Sequence, residues 1–176
     1  MSVIATYARL DSNNLENCRT DPRWMEHLYK RSFPNSEVID IDKACDGIVW
    51  ILSRLPSPQP AQVAAEGFVL CRSLAPLLRG EDATKERKLD APYGPASSLS
   101  TQQVAELSAW LQSIDAAQMR FRYNPSAMDA EDIYPNIWTE EGAAAFEQYL
   151  LPSFEALKAF LSRAAAANQQ VLVFFT

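Results

Sequence analysis

The sequence is poor in the residue types on which most catalytic and metal sites depend. Its 176 residues include one histidine, His27, so a catalytic triad would depend on that residue, and a histidine-rich metal site is excluded. The five glycines are dispersed, so they form neither a phosphate-binding loop nor a dinucleotide fingerprint, and no G-x-S-x-G motif is present. Cys18 and His27 lack a surrounding signature, which favours a partly exposed helix histidine over a nucleophile pair. We therefore expect no catalytic residue and no cofactor, and the sequence leans away from an enzyme.

The cysteines and apolar runs exclude two further classes of protein. Cys18, Cys45 and Cys71 are odd in number and widely spaced, so they give neither a complete disulfide framework nor a CxxC zinc pattern. We expect each to be a small buried or half-buried residue. No segment reaches the roughly 18 apolar residues of a membrane span, and MSVIATYARL lacks the basic flank and long apolar core of a signal peptide. These features predict a cytoplasmic protein.

Acidic side chains outnumber basic ones in this chain. The 22 acidic and 16 basic residues give a net charge of -6 and a pI of about 4.8. Nucleic acid and anionic membranes would repel such a chain, whereas a basic protein would attract it. The length suits one hydrophobic core, so we expect residues 1–176 to form a single domain.

Both ends of the sequence have the composition of strands. The N-terminal VIATYARL is β-branched, aromatic and small, and the C-terminal QQVLVFFT is a short continuous apolar run. We expect these two segments to pair in one sheet. Between them, residues 11–14 offer caps for a short helix, and residues 20–22 precede a second one. The sequence predicts an α+β fold in which a small mixed sheet, including the N- and C-terminal strands, packs with several helices.

The middle of the chain gives weaker signals. Residues 61–78 predict a broken or packed helix, the charge run at 80–88 predicts an exposed loop or frayed helix, and 91–100 predicts an ordered loop. Ser100 and Gln103 have capping-box spacing and precede the apolar stripe of an amphipathic helix. Over residues 115–124, large apolar residues alternate with arginines, which is typical of a strand, but the segment also suits a further helical turn.

The stretch VIDIDKACDGIVWIL places Asp40, Asp42 and Asp46 among apolar residues. Carboxylate oxygens are ligands that hard divalent cations prefer, so this cluster suggests a metal site. However, the glycine turn and distant glutamate of a calcium-binding loop are missing, and Asp42 is well placed to cap a buried helix that follows. We favour the cap, with Lys43 facing solvent, and expect no metal.

The stretch MDAEDIYPNIWTEE combines two large aromatic residues with five carboxylates. In one interpretation Trp138 packs on the first turn of a helix capped by Thr139, and Pro152 kinks that helix or starts a second. In the other interpretation the aromatics anchor an acidic docking surface for a basic protein. The residues of this predicted partner-binding surface are Asp129, Glu131, Asp132, Tyr134, Trp138, Glu140 and Glu141.

Three stretches in this order resemble the YfbM-like family, a bacterial domain of unknown function. They are VIDIDKACDGIVWIL, YGPASSLSTQQVAELSAWL, and AEDIYPNIWTEEG before a long helix and a terminal strand. The family's Asp-Lys pair corresponds to Asp42 and Lys43, and its Tyr-Pro pair begins at Tyr134. The resemblance implies an α+β domain, and most members have no assigned activity. Cys45 and Val49 stand where relatives carry tryptophan and histidine, so any chemistry that used that histidine is absent here.

These observations lead to one main functional hypothesis and two alternatives. The main hypothesis is a non-catalytic, cytoplasmic immunity-type protein, whose acidic face binds and neutralises a cognate bacterial toxin or effector. The first alternative is a small enzyme or ligand-binding domain with a pocket near Asp42 and Tyr134, between the sheet and the Ser100 helix, that uses Asp42, Tyr134 or His27. The second is a stress or housekeeping protein that acts through self-association.

Overall fold

The computed structural model describes residues 3–21, 23–30, 37–55, 74–81 and 83–176. The strands are β1 (Ala5–Leu10), β2 (Glu37–Asp40), β3 (Thr84–Ala91), β4 (Gly94–Leu99) and β5 (Gln170–Phe175). The helices are α1 (Ser12–Thr20), α2 (Arg23–Tyr29), α3 (Ala44–Leu52), α4 (Thr101–Gln112), α5 (Ala116–Arg122), α6 (Pro125–Ala130), α7 (Trp138–Glu141) and α8 (Leu151–Ala166). A 3₁₀ turn spans Ala75–Arg79, and a π-helical segment spans Ala145–Leu150.

The strands form one five-stranded sheet in the order β2-β1-β5-β4-β3. Strand β5 occupies the centre and pairs with β1 on one side and β4 on the other. The predicted α+β fold with a small sheet containing both terminal strands is confirmed. Every ladder in the described part of the sheet is antiparallel, whereas a mixed sheet was predicted.

The sheet separates two hydrophobic cores. Because side chains alternate along a strand, Tyr7 and Val173 face the larger core with α3, α4 and α8, whereas Ala8 and Leu172 face the smaller core with α1 and α2. The smaller core contains the buried Cys18, Met25 and Leu28. Burial raises the pKa of the Cys18 thiol to about 11, as expected for an unreactive structural cysteine.

Strands β3 and β4 correct two predictions from the sequence. The charge run at 80–88 enters an edge strand rather than a loop or frayed helix, and residues 94–99 of the predicted loop form a strand beside β5. Charged residues are tolerated because an edge strand is exposed along one side. Two of them pair with β4: the exposed Lys85 donates to Ser97 Oγ at 3.0 Å, and the buried Glu86 accepts from Ser98 Oγ at 2.6 Å.

The ends of the helices agree more closely with the local sequence signals than strands β3 and β4 do. The Ser100–Gln103 capping box is present at the start of α4, as predicted. Residues 115–122 resolve as a capped helix rather than a strand, and Pro152 lies in the first turn of α8, where it starts a second helix. Of the predicted helix at 61–78, residues 61–73 (with Cys71) lie outside the described residues. None of the described helices is both long and apolar enough to cross a membrane.

Candidate functional site

The stretch that contains the three aspartates forms the β2–α3 connection. Helix α3 begins at Ala44, its N-cap is Lys43, and the predicted cap by Asp42 is therefore wrong. Asp42 instead adopts a left-handed conformation with φ of 45°, in a turn held by hydrogen bonds to β1: Ile41 N–H donates to the Ala5 carbonyl, and Ala5 N–H donates to the Asp42 carbonyl, each at 3.1 Å. The start of α3 carries no side-chain cap hydrogen bond.

Asp42 and Tyr134 line one cavity of about 190 Å³. Lys43, Cys45 and Asp46 also line it, together with apolar residues of the β1 and β5 ends. No residue of α4 contributes, so the predicted location between the sheet and the Ser100 helix is wrong. The arrangement places two carboxylates, an ammonium group and a phenol around a small space.

The polar groups around this cavity are partly satisfied within the chain. Arg79 Nε lies 3.1 Å from Asp46 Oδ1, and the Tyr134 hydroxyl accepts a hydrogen bond from Val3 N–H at 3.2 Å. The Tyr149 hydroxyl is buried and makes no hydrogen bond of ordinary geometry to any described residue. Burial, followed by the negative charge of Asp42, raises the pKa of Tyr149 well above its usual value. Tyr149 is thus a neutral phenol at physiological pH.

Cys45 is the cysteine in the cavity wall, and it is inert. Its side chain is 4% exposed, its Sγ lies 3.6 Å from the Tyr7 hydroxyl, and that hydroxyl also donates to the Leu78 carbonyl. Burial raises the pKa of Cys45 to about 12, so the thiolate that a nucleophile needs is not formed near neutral pH.

The three aspartates do not converge on one point. Asp42 and Asp46 share the cavity, but Asp40 lies at the end of β2 with an exposed side chain, outside the lining of that cavity. Within the described ranges, no three His, Cys, Asp or Glu side chains are arranged to hold a metal ion. His27 is also remote from this cavity: it lies exposed on α2, against the Trp24 ring at 5.5 Å between centroids.

Trp138 is not a surface anchor, which corrects its place in the predicted docking surface. The side chain is fully buried, and its Nε1 donates to the Ile133 carbonyl at 2.7 Å. Trp138 also lies against Gly47 of α3, where an added Cβ would fall 2.6 Å from the ring. The stretch around Trp138 thus packs into the core, in agreement with the first interpretation.

Asp129 and Glu131, two of the predicted surface carboxylates, have internal roles. Asp129 accepts from the N–H groups of Trp138 and Thr139 at 3.1 and 2.7 Å, so it caps α7 in place of the predicted Thr139. The hydrogen bond from Thr139 lowers the pKa of Asp129. Glu131 accepts from Trp50 Nε1 at 2.9 Å and from Arg54 at 2.6 Å.

The remaining acidic residues of the stretch point to solvent. Asp132, Glu140 and Glu141 are exposed, and none forms an ion pair with a described basic side chain. Asp132 accepts only from the Asn136 side chain, at 3.2 Å. We call these three residues the acidic face. Tyr134, the other predicted surface residue, is half-buried and faces the Asp42 cavity.

A second concave site, a groove, was not identified from the sequence. It has a volume of about 560 Å³, and its walls include Trp50, Arg54, Phe121, Arg122, Tyr123 and Glu131. We call it the Phe121 groove, because this phenylalanine is 78% exposed. The signal was the alternation Met119-Arg120-Phe121-Arg122-Tyr123, which the sequence left open between strand and helix.

Comparison with known proteins identifies the family and the fold. The family model of a domain of unknown function (DUF1877) matches residues 1–174. The crystal structure of YfbM from Escherichia coli, a protein of unknown function, superposes with a TM-score of 0.64 at 18% identity, covering 98% of this chain and 99% of that one. At this identity the structural match shows the fold alone. No curated protein matches the sequence.

Proposed function

The chain belongs to the DUF1877 family, domains of unknown function, and from this premise we propose that it is a non-catalytic interaction protein that binds a basic protein partner. In its most concrete form it is an immunity-type protein that binds and neutralises a cognate bacterial toxin or effector. The observation that carries the proposal is the acidic face, whose three carboxylates are exposed and lack basic partners in the described part of the chain.

The charge distribution supports a basic partner. The chain carries a net charge of -6, and many of its other carboxylates are paired, such as Glu37 with Arg9 and Arg163. The acidic face is not neutralised in this way, so its field extends into solvent. Such a field attracts a basic partner and orients it during encounter, which affects the association rate more than the final affinity.

The test is co-expression with a basic secreted effector encoded beside the gene of this protein. We expect rescue of cells from the effector and a direct complex of the two purified proteins. Reversing two charges of the acidic face (Glu140→Lys with Glu141→Lys) should lower the association rate about tenfold at low salt and weaken its salt dependence. Reversing Glu16 and Glu106 is the matched control, because it changes the net charge equally on other exposed helix faces. Absence of binding to such a neighbour, or equal effects of both double variants, would contradict the proposal.

A second candidate function is the binding of a small polar ligand in the Asp42 cavity. The observation that favours it is that Asp42, Lys43 and Tyr134 line the same space. Its volume of about 190 Å³ is below the roughly 300–1,000 Å³ of typical ligand pockets, so we rank it second. The variant Asp42→Asn separates the two functions: it should abolish ligand binding if the cavity is the site, and it should leave partner binding unchanged if the acidic face is the site.

A further inference from the structure

We infer that the Phe121 groove is the anchor of the partner interface, and that it receives from the partner an apolar side chain next to a carboxylate. This inference rests on the proposed function and specifies the partner's complementary surface. It is based on three observations: the exposure of Phe121, the unmet hydrogen-bonding capacity of Arg122, and the continuity of the groove with the acidic face.

Phe121 is the most exposed large hydrophobic residue in the described part of the chain. It is 78% exposed, compared with 42% for Tyr93 and 40% for Tyr29. The Arg122 guanidinium lies over its ring, at 5.1 Å from the centroid. A large ring presented to solvent beside a groove is typical of the aromatic residues at the centre of protein interfaces.

Arg122 supplies the polar half of the anchor. Its Nε is buried and has no hydrogen-bond acceptor among the described residues. The neighbouring arginines are compensated, since Arg54 pairs with Glu131 and Arg120 pairs with Glu147. Arg122 forms no such ion pair with any described carboxylate. Because Arg122 lines the groove and has no ion-pair partner among the described residues, a carboxylate from outside the chain is the complementary group.

The groove wall is connected to the segments that carry the acidic face. Glu131 in the groove wall precedes Asp132, and the Tyr123 hydroxyl donates to the Gly142 carbonyl at 2.8 Å, directly after Glu141. Burial raises the pKa of Tyr123 to about 12, and the nearby charges of Asp129 and Glu141 contribute to that rise. An anchor that prefers an acidic group is therefore connected by the chain to a rim, the acidic face, that prefers basic ones.

This inversion of charge specifies the partner. A generally basic protein would be attracted by the rim, but only one that also presents an apolar side chain with an adjacent carboxylate would fill the groove. In any other relative orientation of the two proteins, groups of like charge would face each other. The arrangement therefore selects the orientation of the partner as well as its identity. A second copy of this chain matches less well, because its acidic face would be repelled by the rim.

The test uses short random peptides displayed on phage, selected on the full-length protein. We expect the selected peptides to contain aspartate or glutamate beside an aromatic or aliphatic residue. Their affinity should fall about tenfold or more on Phe121→Ser and on Arg122→Gln. Tyr93→Ser and Arg23→Gln are the matched controls, because they remove an exposed ring and an exposed guanidinium elsewhere, and they should leave the affinity unchanged. Circular dichroism checks that each variant is folded.

Three results would overturn the inference. One is the absence of any enriched peptide class, and another is equal loss of affinity in the groove variants and their controls. The third is a concentration-dependent dimer, in sedimentation, that Phe121→Ser abolishes, because the occupant is then a second copy. Each of these results leaves the acidic-face test intact, since reversal of Glu140 and Glu141 is measured on the toxin complex. Failure of the groove and failure of the proposed function are therefore distinguishable.

Discussion

Replacing Gly47 by alanine should destabilise the protein, although the same change stabilises most helices. In a helix interior alanine is favoured over glycine by about 1 kcal/mol. At Gly47, however, the new Cβ would lie 2.6 and 2.9 Å from Cη2 and Cζ2 of Trp138, and 3.0 Å from Leu150 Cδ1. Overpacking of this kind costs about 1–3 kcal/mol. Because the indole is buried and cannot move aside freely, we expect a net loss of about 1 kcal/mol.

The variant Trp138→Phe isolates the cause. Phenylalanine lacks Cη2 and Cζ2, so a Cβ at residue 47 no longer clashes with the ring, and only Leu150 Cδ1, at 3.0 Å, remains close. Gly47→Ala should then stabilise the protein by up to about 1 kcal/mol. The coupling between the two substitutions is therefore expected to be about 2 kcal/mol. Trp138→Phe alone should cost about 2–4 kcal/mol, since it leaves a cavity and removes the hydrogen bond to Ile133.

Urea denaturation followed by far-UV circular dichroism measures all four proteins of this cycle. Ala105→Gly, at an exposed position of α4, calibrates the helix-propensity term and should cost about 1 kcal/mol. The reasoning is refuted if Gly47→Ala raises the stability of the wild-type protein. It is also refuted if Gly47→Ala costs as much in the Trp138→Phe variant as in the wild-type protein.

Two further predictions concern buried polar groups. Glu86→Gln should cost about 1–3 kcal/mol at neutral pH, because the buried carboxylate accepts two hydrogen bonds from Arg19, at 3.0 and 2.7 Å. These bonds lower the pKa of Glu86 in the native protein. The difference in stability between the wild-type protein and the variant should therefore be complete above a pH of about 4.3, the pKa of an unperturbed glutamate, and should vanish as the pH falls through the lowered native pKa. A pH-independent difference in urea midpoints would contradict this. Cys45 should resist iodoacetamide in the native protein at pH of about 8, because its thiol is buried and its pKa is raised to about 12, and should react after unfolding. Site-resolved mass spectrometry measures this labelling, and rapid native alkylation would show that the thiol is accessible.

The elements predicted correctly are those whose signals are local. The strand at β1, the apolar run at β5 and the capping box of α4 each depend on neighbouring residues only. Strand β3 was missed because its charged sequence favours solvent, whereas its conformation results from pairing with β4, the next strand in the chain. The inward placement of Glu86 depends on Arg19 of α1, which no local pattern reveals.

In the candidate site, too, some features were predicted from the sequence and others depend on the fold. The family resemblance, through its Asp-Lys and Tyr-Pro motifs, suggested that Asp42 and Tyr134 line one cavity. The burial of Trp138, in contrast, depends on its packing against Gly47. Phe121 could not be placed, because alternation over residues 119–123 suits a strand as well as a short helix, and the two put the ring on different faces. Exposure of a side chain is a property of the whole fold.

The central position of β5 has a consequence for synthesis on the ribosome. Strands β1 and β2 form one ladder and β3 and β4 form another, and β5 joins the two. Because β5 comprises Gln170–Phe175, both ladders emerge from the ribosome before the strand that connects them. Long-range pairing of this kind is slow, and it leaves open strand edges during translation. The nascent chain thus depends on β5 to join the two ladders, and protection of those edges by chaperones should matter most just before β5 emerges.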